Sequence, residues 1–161
     1  MSFTEHAEPL EDRHQTAKAI KALVSDFQKD LDEILLEDSQ GNQRPLSSLT
    51  LREFFDFVKK IPYRKDIKPI EIIGRPLWIM EQVSAKVVPG IDCKKKSVLM
   101  GAFFERTGRQ YRFIGSSCRP DKQIHHIFPQ VYLRGVWVNA DATYPRNVFG
   151  ERKQVTASEV L

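Results

Sequence analysis

An α+β fold follows from the order in which two kinds of periodicity run along the chain. Helical spacing of apolar residues fills the stretch from about Arg13 to Thr107, and period-two alternation is confined to Gln110–Thr143. Helices that precede strands, instead of alternating with them, favour a segregated α+β arrangement over alternating α/β. A length of 161 residues suffices for one hydrophobic core and is too short for two.

Residues 1–12 read as a loose arm. Between Arg13 and Glu37, Ile20, Val24, Phe27, Leu31 and Ile34 recur at spacings of four and three, with Leu23 and Leu35 beside them, which predicts one long amphipathic helix. Its apolar stripe can lie on the chain's own core or dock a second copy or a partner, so the 13–37 helix is a candidate for self-association. The run Gln40-Gly41-Asn42-Gln43-Arg44-Pro45 breaks it, dividing the chain into an arm and helix (1–40) and a main domain (46–161).

Thr50-Leu51-Arg52-Glu53 has the capping-box pattern and should open a short helix through Phe54, Phe55, Phe57 and Val58, ending near Ile61-Pro62. A loop with Tyr63 and Pro69 follows, then a helix from about Arg75 to Lys86 with Pro76 in its first turn. From Cys93 to Thr107, Val98, Leu99, Ala102 and Phe103 form one face, and Gly108 stands where a C-terminal glycine cap belongs. Gln110–Ser117 reads as a strand, 116–122 as a loop, and 125–133 with 136–143 as a hairpin about Arg134-Gly135. Residues 144–161 read as an irregular tail.

Composition bounds the function. Hydrophobic residues make up 41% and charged residues 29%, ordinary for a globular protein. The polar, acidic N-terminus fits neither a secretory signal nor a transit peptide, and no apolar run reaches the ~18 residues of a membrane span. Two cysteines form no disulfide framework, so a reducing, cytoplasmic setting is the expectation. Residues 1–40 carry 10 acidic against 4 basic side chains, a balance of −6, and residues 41–161 carry 21 basic against 11 acidic, a balance of +10. A basic body can receive its own acidic segment, and with no nucleic-acid motif present, nucleic acid is not the expected partner.

The chemistry-bearing residues fall between Gly90 and Pro145. A cysteine is nucleophilic as thiolate, and a helix N-terminus favours that charge; Cys93 follows Gly90-Ile91-Asp92 at such a position, with Lys94, Lys95 and Lys96 adding to the effect and Asp92 opposing it. These charged neighbours argue against burial of the thiol. In the hairpin, an even-numbered loop makes paired residues sum to 269. One face then collects Ile127, Pro129, Val131, Leu133, Val136, Val138, Ala140 and Ala142, and the other collects His126, Phe128, Gln130, Tyr132, Trp137, Asn139, Asp141 and Thr143. His126 and Asp141 become diagonal neighbours roughly 7–8 Å apart at the backbone, while His125 points to the apolar face. Pro129 lacks an N–H, and a four-residue loop closed by Tyr132 and Trp137 would place it at a non-hydrogen-bonded pair.

These segments resemble the transglutaminase-like superfamily of papain-type thiol enzymes. The resemblance is carried by Gly90-Ile91-Asp92-Cys93, Lys96-Ser97-Val98-Leu99, Arg112-Phe113-Ile114, His126-Ile127-Phe128, Val131-Tyr132-Leu133 and Gly135–Thr143, with Ile61-Pro62-Tyr63 upstream, about residues 60–145 in all. It implies a central helix bearing the nucleophile on an antiparallel sheet, with Cys93 as nucleophile, His126 as base and acid, and Asp141 orienting the imidazole. The implied substrate is a peptide or glutamine amide, with no cofactor. Gln130 stands where an acidic residue is common, Pro129 is unusual, and Ala142 replaces a frequent proline. Trp78 and Gln82 are candidates for an oxyanion-binding side chain.

Two other readings compete. One is a non-catalytic assembly domain, for example a phage virion component, to which the long stripe and a wholly apolar sheet face would be suited. The other is zinc held by Cys93, Cys118, His125 and His126, which lacks the close CxxC pairing of structural sites.

Overall fold

The computed structural model describes residues 12–65 and 73–161. The expectations for residues 1–11 and for the loop around Pro69 lie outside the described residues. The architecture is α+β. Helices α1 (Arg13–Phe27), α2 (Asp30–Glu33), α3 (Leu51–Lys60), α4 (Pro76–Ser84) and α5 (Cys93–Arg106) precede strands β3 (Tyr111–Ser117), β4 (His126–Leu133), β5 (Val136–Asn139) and β6 (Ala157–Val160). The strands form one antiparallel sheet in the order β5-β4-β3-β6. A small hairpin, β1 (Leu35–Glu37) with β2 (Gln43–Pro45), stands apart from it.

The single helix predicted over 13–37 is broken at Gln28–Lys29, and its last residues form β1. The break has a physical cause. The Asp30 carboxylate accepts from Arg75 Nε at 2.8 Å and Nη2 at 2.5 Å, and from the backbone N–H of Leu77 in the first turn of α4 at 3.1 Å. A bidentate, charge-assisted pair that also satisfies a free helix N–H outweighs two residues of helix propagation. The apolar stripe still ends up on one side: Ala17, Ile20, Val24 and Leu31 are all buried within the chain. The turn after β1 is set by Asp38, whose Oδ1 accepts from the N–H groups of Gln40 and Asn42 at 2.9 Å, with Gly41 at positive φ.

Helix α3 opens with the predicted capping box: Thr50 Oγ1 accepts from Glu53 N at 3.2 Å and Glu53 Oε1 accepts from Thr50 N at 2.9 Å. Helix α5 is the centre of the molecule. Instead of one buried face, every residue from Cys93 to Phe104 is buried, between α1, α3 and α4 on one side and the sheet on the other. It closes with a Schellman motif, Arg109 N to Phe104 O at 2.8 Å and Gly108 N to Glu105 O at 3.2 Å, with Gly108 at φ +70°.

The β4–β5 pairs Gln130↔Asn139, Val131↔Val138, Tyr132↔Trp137 and Leu133↔Val136 have the predicted register. Of the two even-numbered loops, two or four residues, that give this register, the two-residue one is formed. Leu133 pairs directly with Val136, and Arg134 (φ 49°) and Gly135 (φ 84°) make the two-residue turn with both φ positive that matches strand twist. That shifts Pro129 to a hydrogen-bonded position. Its carbonyl accepts from Ala140 N at 2.9 Å but it has nothing to donate back, so β5 stops at Asn139 and residues 140–143 leave the ladder. The apolar sheet face is not an open surface: Ile127, Pro129, Val131, Ala140 and Ala142 are buried, and α5 packs against β4.

The C-terminal segment is more ordered than an irregular tail. Residues 157–160 form an edge strand on β3, and Arg13 of α1 pairs with Glu159. Before it, Phe149 meets the Phe55 ring edge-on at 5.3 Å and the Arg52 guanidinium lies 5.3 Å from the Phe149 centroid.

Candidate active site

The site is built where three pieces of chain meet. Gly90 starts it: a Cβ there would stand 2.3 Å from the carbonyl oxygen of Pro62, which accepts the N–H of Ile91 at 2.9 Å, while Ile91 O accepts from Arg64 N at 3.1 Å. This close backbone approach, open only to glycine, fixes Tyr63 beside the start of α5. Asp92 is the N-cap of α5. Its Oδ1 accepts from Lys95 N at 3.0 Å and its Oδ2 lies 2.6 Å from Lys94 Nζ, a buried ion pair. Cys93 is therefore the first helical residue, as predicted, but the charged neighbours do not keep it exposed. It is 7% exposed, because Lys94, Lys95 and Lys96 are themselves buried.

His126 begins β4, held against α5 by the hydroxyl of Ser97, which donates to Ile127 O at 3.2 Å. The His126 Nε2 lies 2.8 Å from Asp141 Oδ2, and the Cys93 side chain is in hydrogen-bonding contact with the same ring. With Nε2 engaged, Nδ1 is the nitrogen that can face sulfur. Asp141 lies just past the end of β5. Its Oδ1 accepts from Thr143 N at 3.1 Å and its own carbonyl accepts from Asn147 Nδ2 at 3.0 Å. The structure thus brings Cys93, His126 and Asp141 together in that order of contact.

Electrostatics favours the charged form of the pair. Burial works against a protonated His126, but the Asp141 carboxylate and the thiol side of Cys93 outweigh it and raise its pKa above the ordinary histidine value. Burial likewise works against ionised Asp141, and the imidazole together with the Thr143 contacts lowers its pKa instead. The imidazole stacks with Phe128 at 5.5 Å and with Tyr144 at 6.4 Å.

Tyr63 and Tyr144 complete the surroundings, and sequence reasoning did not single them out as site residues. Their rings lie 4.9 Å apart, their hydroxyls interact, and each feels the charge of Cys93; burial raises both phenol pKa values. Tyr63 comes from the turn after α3 and Tyr144 from beyond Asp141, so only the tertiary fold joins them to the sulfur. Trp78 packs its ring on Gly74 and Gln82 is half-buried on α4.

The four side chains of the zinc reading fall into two pairs. Cys118 is exposed, with Sγ 3.3 Å from His125 Nε2, while Cys93 contacts His126. Among the described residues no group of three or more His, Cys, Asp and Glu side chains is arranged to hold a metal. No helix among them is long and apolar enough to cross a membrane. On the sheet's polar face, Gln130 bridges Arg112 and Asn139, accepting from Arg112 Nε at 2.8 Å and donating to Asn139 Oδ1 at 2.7 Å.

No family model and no curated protein matches the sequence. Among solved structures, the chain is similar to one described as a candidate cysteine protease from Cytophaga hutchinsonii, at 15% identity and a TM-score of 0.42. The match covers 95% of this chain and 45% of that one, so the chain spans less than half of its length. At that level of similarity no residue role passes from one protein to the other.

Proposed function

We propose that this protein is a thiol-dependent acyl-transfer enzyme acting on peptide or glutamine amides, of the cysteine peptidase or transglutaminase type. The observation that carries the reading is the contact chain at the head of α5: Asp141 Oδ2 to His126 Nε2 at 2.8 Å, with the Cys93 side chain against the same imidazole. In the resting site the thiol proton already sits on His126 as imidazolium, and the thiolate forms a C–S bond to the amide carbonyl. In this reading the Cys93 N–H at the head of the helix meets the developing oxyanion, and the Tyr63 and Tyr144 phenols, whose pKa values Cys93 helps raise, are the nearby side-chain donors. The imidazolium then returns its proton to the leaving nitrogen as the C–N bond breaks, leaving a thioester. Water releases a carboxylic acid from it, or an amine forms a new amide. Asp141 holds the ring orientation and stabilises its charged form.

The test is the rate of Cys93 alkylation by iodoacetamide as a function of pH, with Cys118→Ser as background. Reactivity should persist well below the ~8.5 of a free thiol and should lose this acid-side reactivity in His126→Ala. Identical, ordinary thiol profiles in both proteins would remove the enzymatic reading.

A further inference from the structure

Lys96 is a buried ammonium that the chemistry above does not use. It is 1% exposed, sits one helical turn after Cys93, and points into the protein. Removing an ammonium from water costs several kcal/mol unless its protons are taken up. Here Nζ donates to Ile61 O at 2.5 Å, Thr143 O at 2.8 Å and Ala142 O at 3.1 Å, with Lys59 O at 3.5 Å. Three N–H donors thus meet three near carbonyls. The Ile61 and Lys59 oxygens belong to the C-terminal end of α3, where unpaired carbonyls and the helix dipole favour a cation. Burial, only partly opposed by the Asp141 carboxylate, pushes the ammonium pKa down to about 8, so the group is still mostly charged at neutral pH.

The anchored backbone atoms are not scattered. Ala142 follows Asp141 directly, Thr143 precedes Tyr144, Ile61 lies two residues before Tyr63, and Lys96 itself is three residues after Cys93. The Ala142–Thr143 segment has already left the β-ladder at Pro129, so it lacks strand pairing to hold it. If packing alone were required, an apolar side chain of the same volume would serve at less cost.

Resting on the reading of the site given above, we propose that Lys96 is its positioning residue: by gripping the carbonyls of Ile61, Ala142 and Thr143, its ammonium sets Asp141 against His126. The two tyrosines are set against Cys93 by the same grip.

The experiment is an NMR titration of the His126 ring in the wild type and in Lys96→Met, with thermal melting to verify folding. The sign discriminates. Deleting a nearby positive charge without moving Asp141 would raise the His126 midpoint, whereas loss of the Asp141 placement lowers it. The expected result is a downward shift of about one pH unit or more, a tenfold change in proton affinity. Lys96→Arg should restore part of it, and Asp141→Asn should abolish the effect of Lys96→Met. An unchanged or raised midpoint in folded Lys96→Met overturns the inference. If the methionine variant does not fold, Lys96→Gln is read by the same criterion. Failure of both neutral variants to fold would assign the lysine to global stability and overturn it equally. Because this readout is a titration of His126 and not a reaction of Cys93, its failure is separable from failure of the alkylation test.

Discussion

The two oxygens of Asp141 have separate partners: Oδ2 meets His126 Nε2 and Oδ1 accepts the Thr143 N–H. Asp141→Asn keeps both contacts sterically but removes the charge that keeps the imidazole protonated. Cys93 alkylation at pH 6 should fall about tenfold or more, while the rate above pH 9 stays close to wild type. A profile displaced equally at all pH values would instead indicate lost access to the sulfur. Gln130 is taken up between Arg112 and Asn139 on the sheet face. The Arg112 guanidinium also lies 4.2 Å from the Trp137 ring centroid, so the neutral amide of Gln130 ties a side chain of β3 to one of β5 across β4.

At the scale of elements, short-range caps and long-range ties make different demands. The α3 capping box is local and exposed, so Thr50→Ala should cost about 1 kcal/mol in denaturant unfolding without changing the m-value. Asp30 is 5% exposed and joins α2 to the start of α4 through Arg75 and Leu77. Asp30→Ala leaves a guanidinium and a helix N–H without their acceptor and should cost about 2–3 kcal/mol by the same measurement. Gly90→Ala puts a methyl group against the Pro62 carbonyl, which must move and carry Tyr63 with it; a loss of about 1–3 kcal/mol is expected, together with a slower Cys93 alkylation. A stable variant with unchanged alkylation would separate Gly90 from the site.

For the whole molecule, the paired charges define a pH window. Asp30 and Asp141 have lowered pKa values in the folded state, so their contributions are present above the unfolded value near 3.9 and are lost as pH falls through the folded values. His126 has a raised pKa, so its contribution is fully present below about 6.5 and is lost as pH rises through the folded value. The melting temperature should therefore be highest between roughly pH 4 and 6.5. In the His126→Ala, Asp141→Asn double variant the decline on the alkaline side should flatten, while Asp30 preserves an acid-side decline.

Much of this architecture is written locally. Thr50 and Glu53 cap α3, Gly108 ends α5, and alternation about Arg134-Gly135 fixes which face of the hairpin each residue occupies. These signals lie within a few residues of what they control, so reading the chain alone determined the α+β class, the helix led by Cys93 and the β4–β5 register. Only the tertiary structure decided what depends on partners far along the chain: the break that Arg75 and Leu77 impose through Asp30, the pairing of residues 157–160 with β3, and the two tyrosines beside the sulfur. The three lysines after Cys93 illustrate the reason best. In a linear sequence a run of cations reads as a solvated face, because burial is unfavourable until an acceptor is supplied, and for Lys96 the acceptors stand 35, 46 and 47 residues away.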